Sequence, residues 1–126
     1  MKGRKPMLTP DRDPLTKVPP APTWLSPAAK GEWRRIMPRL VADRIITLAD
    51  LAGVENYVVA IGRVREIEAM IQAADGVIDP ALFRAQDKAM QTARQLAAEY
   101  GLSPVSRKRI EASETPDDDD NPLNIR

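Results

Sequence analysis

Basic side chains in three short groups are the residues of this sequence most suited to chemistry. The groups are Lys2, Arg4 and Lys5; Lys30, Arg34, Arg35 and Arg39; and Arg107, Lys108 and Arg109. Lys and Arg bind phosphate oxygens, and each duplex phosphate that they neutralise adds to the salt dependence of binding. The groups are therefore candidates for contact with a DNA backbone. Each has an ordinary alternative, a solubilising tail or a solvated helix surface, which the sequence leaves open.

Other kinds of chemistry are excluded by residues that the sequence lacks. It contains no Cys and no His, which removes disulfides, thiolate nucleophiles, imidazole acid–base catalysis and the usual zinc ligands. It has no glycine-rich Lys-Ser/Thr loop for nucleotide phosphates. The acidic run at residues 117–120 lacks the glycine and the spaced Glu of a calcium loop. We therefore predict no catalytic residue, no metal site, no cofactor and no enzymatic activity.

Charge is distributed unevenly along the 126 residues, although the total is close to neutral. Residues 1–22 carry five bases, two acids and many prolines, while residues 113–126 carry five acids and one base. Such segments bury too little apolar surface to fold. We predict a disordered basic arm over 1–22, a helical domain over 23–112 and a disordered acidic tail over 113–126. No apolar run approaches the roughly 20 residues that cross a bilayer, so we expect a soluble protein without a membrane partner.

The elements that must position the basic groups are helices, and the two longest are predicted to form a hairpin. Thr47 and Asp50 have capping-box spacing, and apolar residues then recur every three or four positions up to residue 73. Asp75-Gly76 predicts a turn, Asp79-Pro80 a second helix start, and Gly101 its end. Because the link is short, the two helices should be antiparallel neighbours. The predicted stripe of the second helix is Leu82, Ala85, Ala89, Ala93, Leu96 and Tyr100.

Shorter helices are predicted on either side of the hairpin. Ser26-Pro27 is a helix start, and the second basic group lies opposite the apolar stripe that follows it. Pro38 should kink or divide this helix. Large aromatic side chains are scarce, so we expect Trp24 and Trp33 to anchor the core. After Gly101 a short helix should run to about residue 112, with the consecutive bases of the third group fanning around it.

The first hairpin helix is apolar over more than one narrow stripe. Gly53 and Gly62 each lower helix propensity by about 1 kcal/mol relative to Ala, and with Ala60 they suggest that another backbone approaches closely. We expect self-association through this surface; the alternative is that helices of the same chain cover it. The predicted subunit contacts are Leu51, Val54, Val58, Ile61, Val64 and Ile71.

Four segments occur in a characteristic order and spacing. They are Lys2-Gly3-Arg4-Lys5-Pro6; Trp33, Pro38 and Leu40; Leu48-Ala49-Asp50; and Glu99-Tyr100-Gly101-Leu102-Ser103-Pro104-Val105-Ser106-Arg107. In this arrangement the sequence resembles the P27 family of phage terminase small subunits over nearly its whole length. The resemblance implies a non-catalytic, ring-forming subunit that binds viral DNA near the packaging start and hands it to the large subunit, which carries the ATPase and the nuclease.

Together these observations lead us to expect an all-α protein, with an N-terminal helix, a long antiparallel helical hairpin and a short C-terminal helix between disordered tails. The resemblance implies a ring oligomer whose partners are double-stranded viral DNA and the terminase large subunit, in the cytoplasm of the infected bacterial host. The acidic C-terminal part is the candidate docking segment for the large subunit. Two alternatives remain open: a small dimeric DNA-binding regulator, and a structural assembly adaptor that binds no DNA.

Overall fold

Three helices and one 3₁₀ turn make up the computed structural model, which describes residues 13–103 and Lys108. Helix α1 covers Pro27–Ala42, the 3₁₀ turn Leu48–Asp50, α2 Leu51–Ala73 and α3 Pro80–Tyr100. Helix α2 packs against both α1 and α3. The predicted all-α class is confirmed, whereas the ring stays a prediction. Except for Lys108, the predicted C-terminal helix lies outside the described residues, and no described helix is long and apolar enough to cross a membrane.

The predicted helix boundaries are confirmed. They could be predicted because hydrogen bonds between residues close in sequence set them. The Ser26 hydroxyl oxygen accepts a bond from the Ala29 amide at 3.2 Å, which starts α1. The Thr47 amide donates to the Asp50 carboxylate at 2.9 Å, although the first turn there is 3₁₀ and not α. The Asp79 carboxylate accepts from the Ala81 amide at 3.0 Å, and Gly101, with φ of 67°, ends α3 in the left-handed conformation.

Helix α1 is continuous through Pro38, so this proline does not divide the helix, and the alternative, a kink, stays a prediction. Proline removes one N–H, which in this helix would have bonded to the carbonyl of Arg34. Pro38 and Arg34 are both exposed, and water can satisfy that carbonyl. The helix ends at Ala42, and the Ile45 amide then donates to the Leu40 carbonyl at 3.0 Å.

The core lies between α1, the first half of α2 and the chain that precedes α1. Trp33 is buried and its indole Nε1 donates to the Pro19 carbonyl at 3.0 Å, as expected of a core anchor. The prediction for Trp24 is wrong, because its side chain is 63% exposed. A turn in which the Leu25 amide donates to the Pro22 carbonyl places Leu25 in the core instead.

Residues 13–22 lie against the helical domain, so the predicted boundary of the disordered arm at residue 22 is wrong. The Leu15 amide donates to the Ile46 carbonyl at 2.9 Å, and Pro14 forms an antiparallel bridge with Thr47. Leu15 and Ala21 also pack on the core. Because this segment supplies apolar contacts and the acceptor for an indole N–H, it belongs to the domain. Residues 1–12 lie outside the described residues.

Helices α1 and α2 lie close together at Ala29 and Gly62. A Cβ atom added to Gly62 would lie only 3.0 Å from the Ala29 backbone nitrogen, and one added to Gly53 would overlap the Tyr100 ring. The close backbone approach predicted from the glycines therefore exists at Gly62, whereas Gly53 faces an aromatic side chain; both neighbours belong to the same chain.

Two Gly-to-Ala substitutions test this crossing. Gly31→Ala should stabilise the protein by about 1 kcal/mol, because alanine favours helix and nothing lies within 4 Å of the new Cβ. Gly62→Ala should instead destabilise it by about 1–3 kcal/mol, because two backbones must separate. Urea unfolding measures both free energies. Equal effects of the two substitutions would contradict the close crossing.

Candidate nucleic-acid interface and subunit contacts

The four basic residues of α1 were predicted to share one face of the helix, but they lie on two. At about 100° per residue, Lys30 and Arg34 lie on one flank of α1, whereas Arg35 and Arg39 lie on the opposite flank. The apolar stripe runs between the two flanks on the side that packs against the domain. The helix therefore presents two pairs of cations, and one phosphate backbone lying along a single face would not contact both.

The two pairs differ in how much of their charge is already compensated. Arg39 Nε donates to Asp43 Oδ2 at 3.0 Å, and both side chains are exposed, so the pair contributes at most about 1 kcal/mol. Arg35 forms an ion pair with Glu32. Lys30 and Arg34 form no ion pair within the described residues. The flank with Lys30 and Arg34 therefore keeps its full charge.

Glu32 is the centre of a polar cluster between α1 and α2, and its side chain is 0% exposed. Arg35 binds it with a two-pronged contact, from Nε to Oε1 at 2.9 Å and from an Nη to Oε2 at 2.6 Å. From α2, an Nη of Arg65 donates to Oε1 at 3.0 Å and the Tyr57 hydroxyl donates to Oε2 at 3.3 Å. The Arg35 and Arg65 side chains are themselves 64% and 48% exposed.

The protonation states in this cluster follow from burial and charge. Burial alone would raise the pKa of Glu32, but the hydrogen bonds and charges of Arg35 and Arg65 outweigh it, so the pKa lies below its usual value. Burial, assisted by the Glu32 charge, raises the pKa of Tyr57. At neutral pH the cluster therefore holds one carboxylate, two guanidinium groups and a neutral phenol, and it is positive overall.

Arg35 was predicted from the sequence as a functional residue, whereas Glu32, Tyr57 and Arg65 were not. Glu32 follows Ala29 by three residues and precedes Ile36 by four, which places it on the apolar stripe of α1. An acid at such a position signals a buried ion pair. Nothing local identified Arg65 or Tyr57 as its partners, because they approach it only when α1 and α2 pack.

Of the remaining residues predicted to contact DNA, the structure describes one. Lys108 is exposed. The others lie outside the described residues: Lys2, Arg4, Lys5, Arg107 and Arg109. Among the described residues no group of acidic side chains could hold a metal ion, and the acidic run at 117–120 lies outside them.

Two of the predicted subunit contacts need correction. Val54 and Val58 are 0% exposed and belong to the core formed with α1, so they offer no surface to a second copy. Leu51, Ile61, Val64 and Ile71 are half-buried, and for them contact with another subunit stays a prediction. Much of the wide apolar stripe is therefore covered within the chain, which was the alternative.

Apolar surface is instead exposed around the turn between α2 and α3, which we call the hairpin tip. Val77 and Ile78 are each 71% exposed. The other large apolar residues exposed on this half of the hairpin are Met70, Phe83 and Met90. Asp75 and Gly76 form the turn with positive φ angles. Hydrophobic residues clustered in this way typically mark an interaction surface.

In α3 the residue that faces α2 at this level is Gln86. The predicted stripe placed Ala85 there. Ala85 is exposed, whereas Gln86 is buried. Its Nε2 donates to Glu68 Oε1 at 2.8 Å and to the Val64 carbonyl at 3.4 Å. Hydrogen bonds from Gln86 and Gln72 lower the pKa of Glu68.

The sequence was also compared with families, curated proteins and solved structures. A family model described as "Phage terminase, small subunit" matches residues 29–117, which is more than half of the chain. No curated protein and no solved structure matches. The match extends from α1 through the whole hairpin, and it does not distinguish the P27 branch, which stays a prediction.

The lowered pKa of Glu32 predicts a stability difference that depends on pH. Glu32→Gln should reduce the free energy of unfolding by about 1–3 kcal/mol at pH 7, because charge-assisted hydrogen bonds are lost. Since the ionised form is favoured in the folded protein, this difference should be complete above the usual pKa of 4.5. It should shrink as the pH falls through the lower folded-state value.

Urea unfolding from pH 7 to pH 3 measures this difference. Glu66→Gln is the matched control, since Glu66 is an exposed glutamate of α2 without an ion pair in the described residues. The control should change stability little at any pH. A wild-type advantage over Glu32→Gln that stays constant down to pH 3 would contradict the buried carboxylate.

Proposed function

Because the chain belongs to the phage terminase small-subunit family, we propose that it is a non-catalytic DNA-binding subunit of a genome-packaging motor. The small subunit is generally the non-catalytic one in this family. In this proposal it engages double-stranded viral DNA and recruits the large ATPase–nuclease subunit in the cytoplasm of the infected host. The family match over residues 29–117 carries the proposal.

The arrangement of cations supports DNA binding through phosphates. Lys30 and Arg34 have no ion pair in the described residues, and Arg35 and Arg65 leave the Glu32 cluster positive. Cations of this kind read no base sequence, so binding should depend strongly on salt. The basic residues within 1–12 and 107–109 would add further salt-dependent phosphate contacts.

The exposed apolar residues of the hairpin tip support self-association. Val77, Ile78 and Phe83 are large side chains that gain about 25 cal/mol for each Å² removed from water. In a head-to-tail arrangement the tip of one protomer contacts a different surface of the next, and such contacts close into a ring when the rotation permits. Leu51, Ile61, Val64 and Ile71 remain the predicted residues of the receiving surface.

Native mass spectrometry of the full chain, with and without a duplex at low and high salt, tests this proposal. We expect one closed oligomer of many subunits that carries duplex at low salt and releases it at high salt. A monomer or simple dimer under all conditions would overturn the ring and favour a small regulator. A closed oligomer that never carries duplex would favour a structural adaptor.

A tail deletion tests how the large subunit is recruited. Residues 113–126 carry five acids and one base, and we propose that they dock on the large subunit. Deleting them should lower large-subunit binding at least about tenfold, because several charge contacts of roughly 1 kcal/mol or less each are lost, and should leave the oligomer intact. Pull-down and ATPase stimulation assays measure the effect. Unchanged binding and stimulation would refute this role.

A further inference from the structure

We propose that Arg35 and Arg65, held together by the buried carboxylate of Glu32, form a site at the α1–α2 junction for a phosphodiester group of duplex DNA. The inference rests on the proposed function and specifies one of its contacts. Arg65 was not among the residues expected to bind DNA. Its role becomes visible only because Arg35 on α1 and Arg65 on α2 share one carboxylate.

The two arginines retain N–H donors that Glu32 does not use. A guanidinium has five N–H donors in a planar fork. Arg35 gives two of them to Glu32, and Arg65 gives one. Both side chains remain about half or more exposed. The remaining donors are therefore accessible to a ligand while Glu32 stays satisfied.

The charge of the cluster also suits an anionic ligand. One carboxylate between two guanidinium groups leaves a net charge of about +1, and the hydroxyl of Tyr57 donates to the same carboxylate. A phosphodiester carries a single negative charge and offers oxygens that match the arginine fork. A bound phosphodiester would therefore neutralise the remaining positive charge of the cluster.

Glu32 acts as a positioning residue for the two arginines. It is wholly buried and does not reach a ligand, but it holds one guanidinium from each helix. Because Arg35 is gripped at both carboxylate oxygens, its plane is fixed. Without this anchor the two long side chains would move independently.

Duplex affinity of the full-length protein, measured across a salt series, tests the site. Arg65→Gln should weaken binding roughly three- to tenfold near physiological salt and reduce the slope of log K against log salt by about one for each site engaged. Arg63→Gln is the matched control, since Arg63 is exposed on the same helix but lies about 160° around it. We expect the control to bind nearly as tightly as the wild type.

Glu32→Gln separates positioning from total charge. This variant makes each protomer more positive by one, so a response to charge alone would tighten binding. Loss of the anchor should instead weaken it several-fold in protein that circular dichroism shows to be folded. Arg65→Gln, in which Arg35 still holds Glu32, keeps the test decisive if Glu32→Gln does not fold.

The outcomes distinguish this site from the proposed function. Equal losses for Arg65→Gln and Arg63→Gln, or unchanged or tighter binding by folded Glu32→Gln, would overturn the site and leave a DNA-binding small subunit. A wild-type protein that binds no duplex at low salt would overturn both.

Discussion

The contact of α1 with α2 at Ala29 and Gly62 is the constraint on which the rest of the structure depends. A Cβ atom at Gly62 would lie 3.0 Å from the Ala29 nitrogen, so any other residue would press the two backbones apart. One turn further along each helix, the same approach encloses Glu32 and brings Arg65 to it. A buried carboxylate is costly unless it is paired and hydrogen-bonded. The crossing and the ion cluster therefore require each other: the crossing buries the acid, and the arginines make that burial tolerable.

The same crossing explains why burial is uneven along the hairpin. The buried residues of α2 all lie between Gly53 and Gly62. Val54 and Val58 belong to the core formed with α1, Gly62 lies against Ala29 of α1, and the Tyr100 ring at the end of α3 lies over Gly53. Beyond Gly62 no residue of α2 is buried, and α3 contributes only Gln86 and Ala93. The far half of the hairpin is consequently held by the pairing of two helices and by the hydrogen bonds of Gln86. It has the helical order of the domain without a core of its own, and large apolar residues such as Val77 and Ile78 remain exposed there.

The sequence predicts the parts of this structure that local chemistry determines. Ser26, Asp79 and Gly101 mark helix ends through bonds to neighbours a few residues away, so their types and spacing suffice. Trp24 and Trp33 are the same residue type, so the sequence does not distinguish them. Which one enters the core depends on where residues 13–22 lie. Glycine content predicted a close approach but not its partner, because Gly62 would look the same against this chain or another. The ion cluster escaped prediction for the same reason, since Tyr57 and Arg65 on α2 lie more than 20 residues from Glu32 and Arg35 on α1.

The position of Glu32 also determines what the two arginines can contribute to binding. An arginine side chain immobilised at an interface loses about 0.5–1.5 kcal/mol of conformational free energy. Arg35 and Arg65 are already restrained by Glu32 in the folded protein, so a ligand that meets both would incur less of that cost. Lys30 and Arg34, on the opposite flank, have no such restraint in the described residues. The proposed phosphate contacts therefore differ in kind: one pair is pre-organised by folding, and the other contributes charge alone.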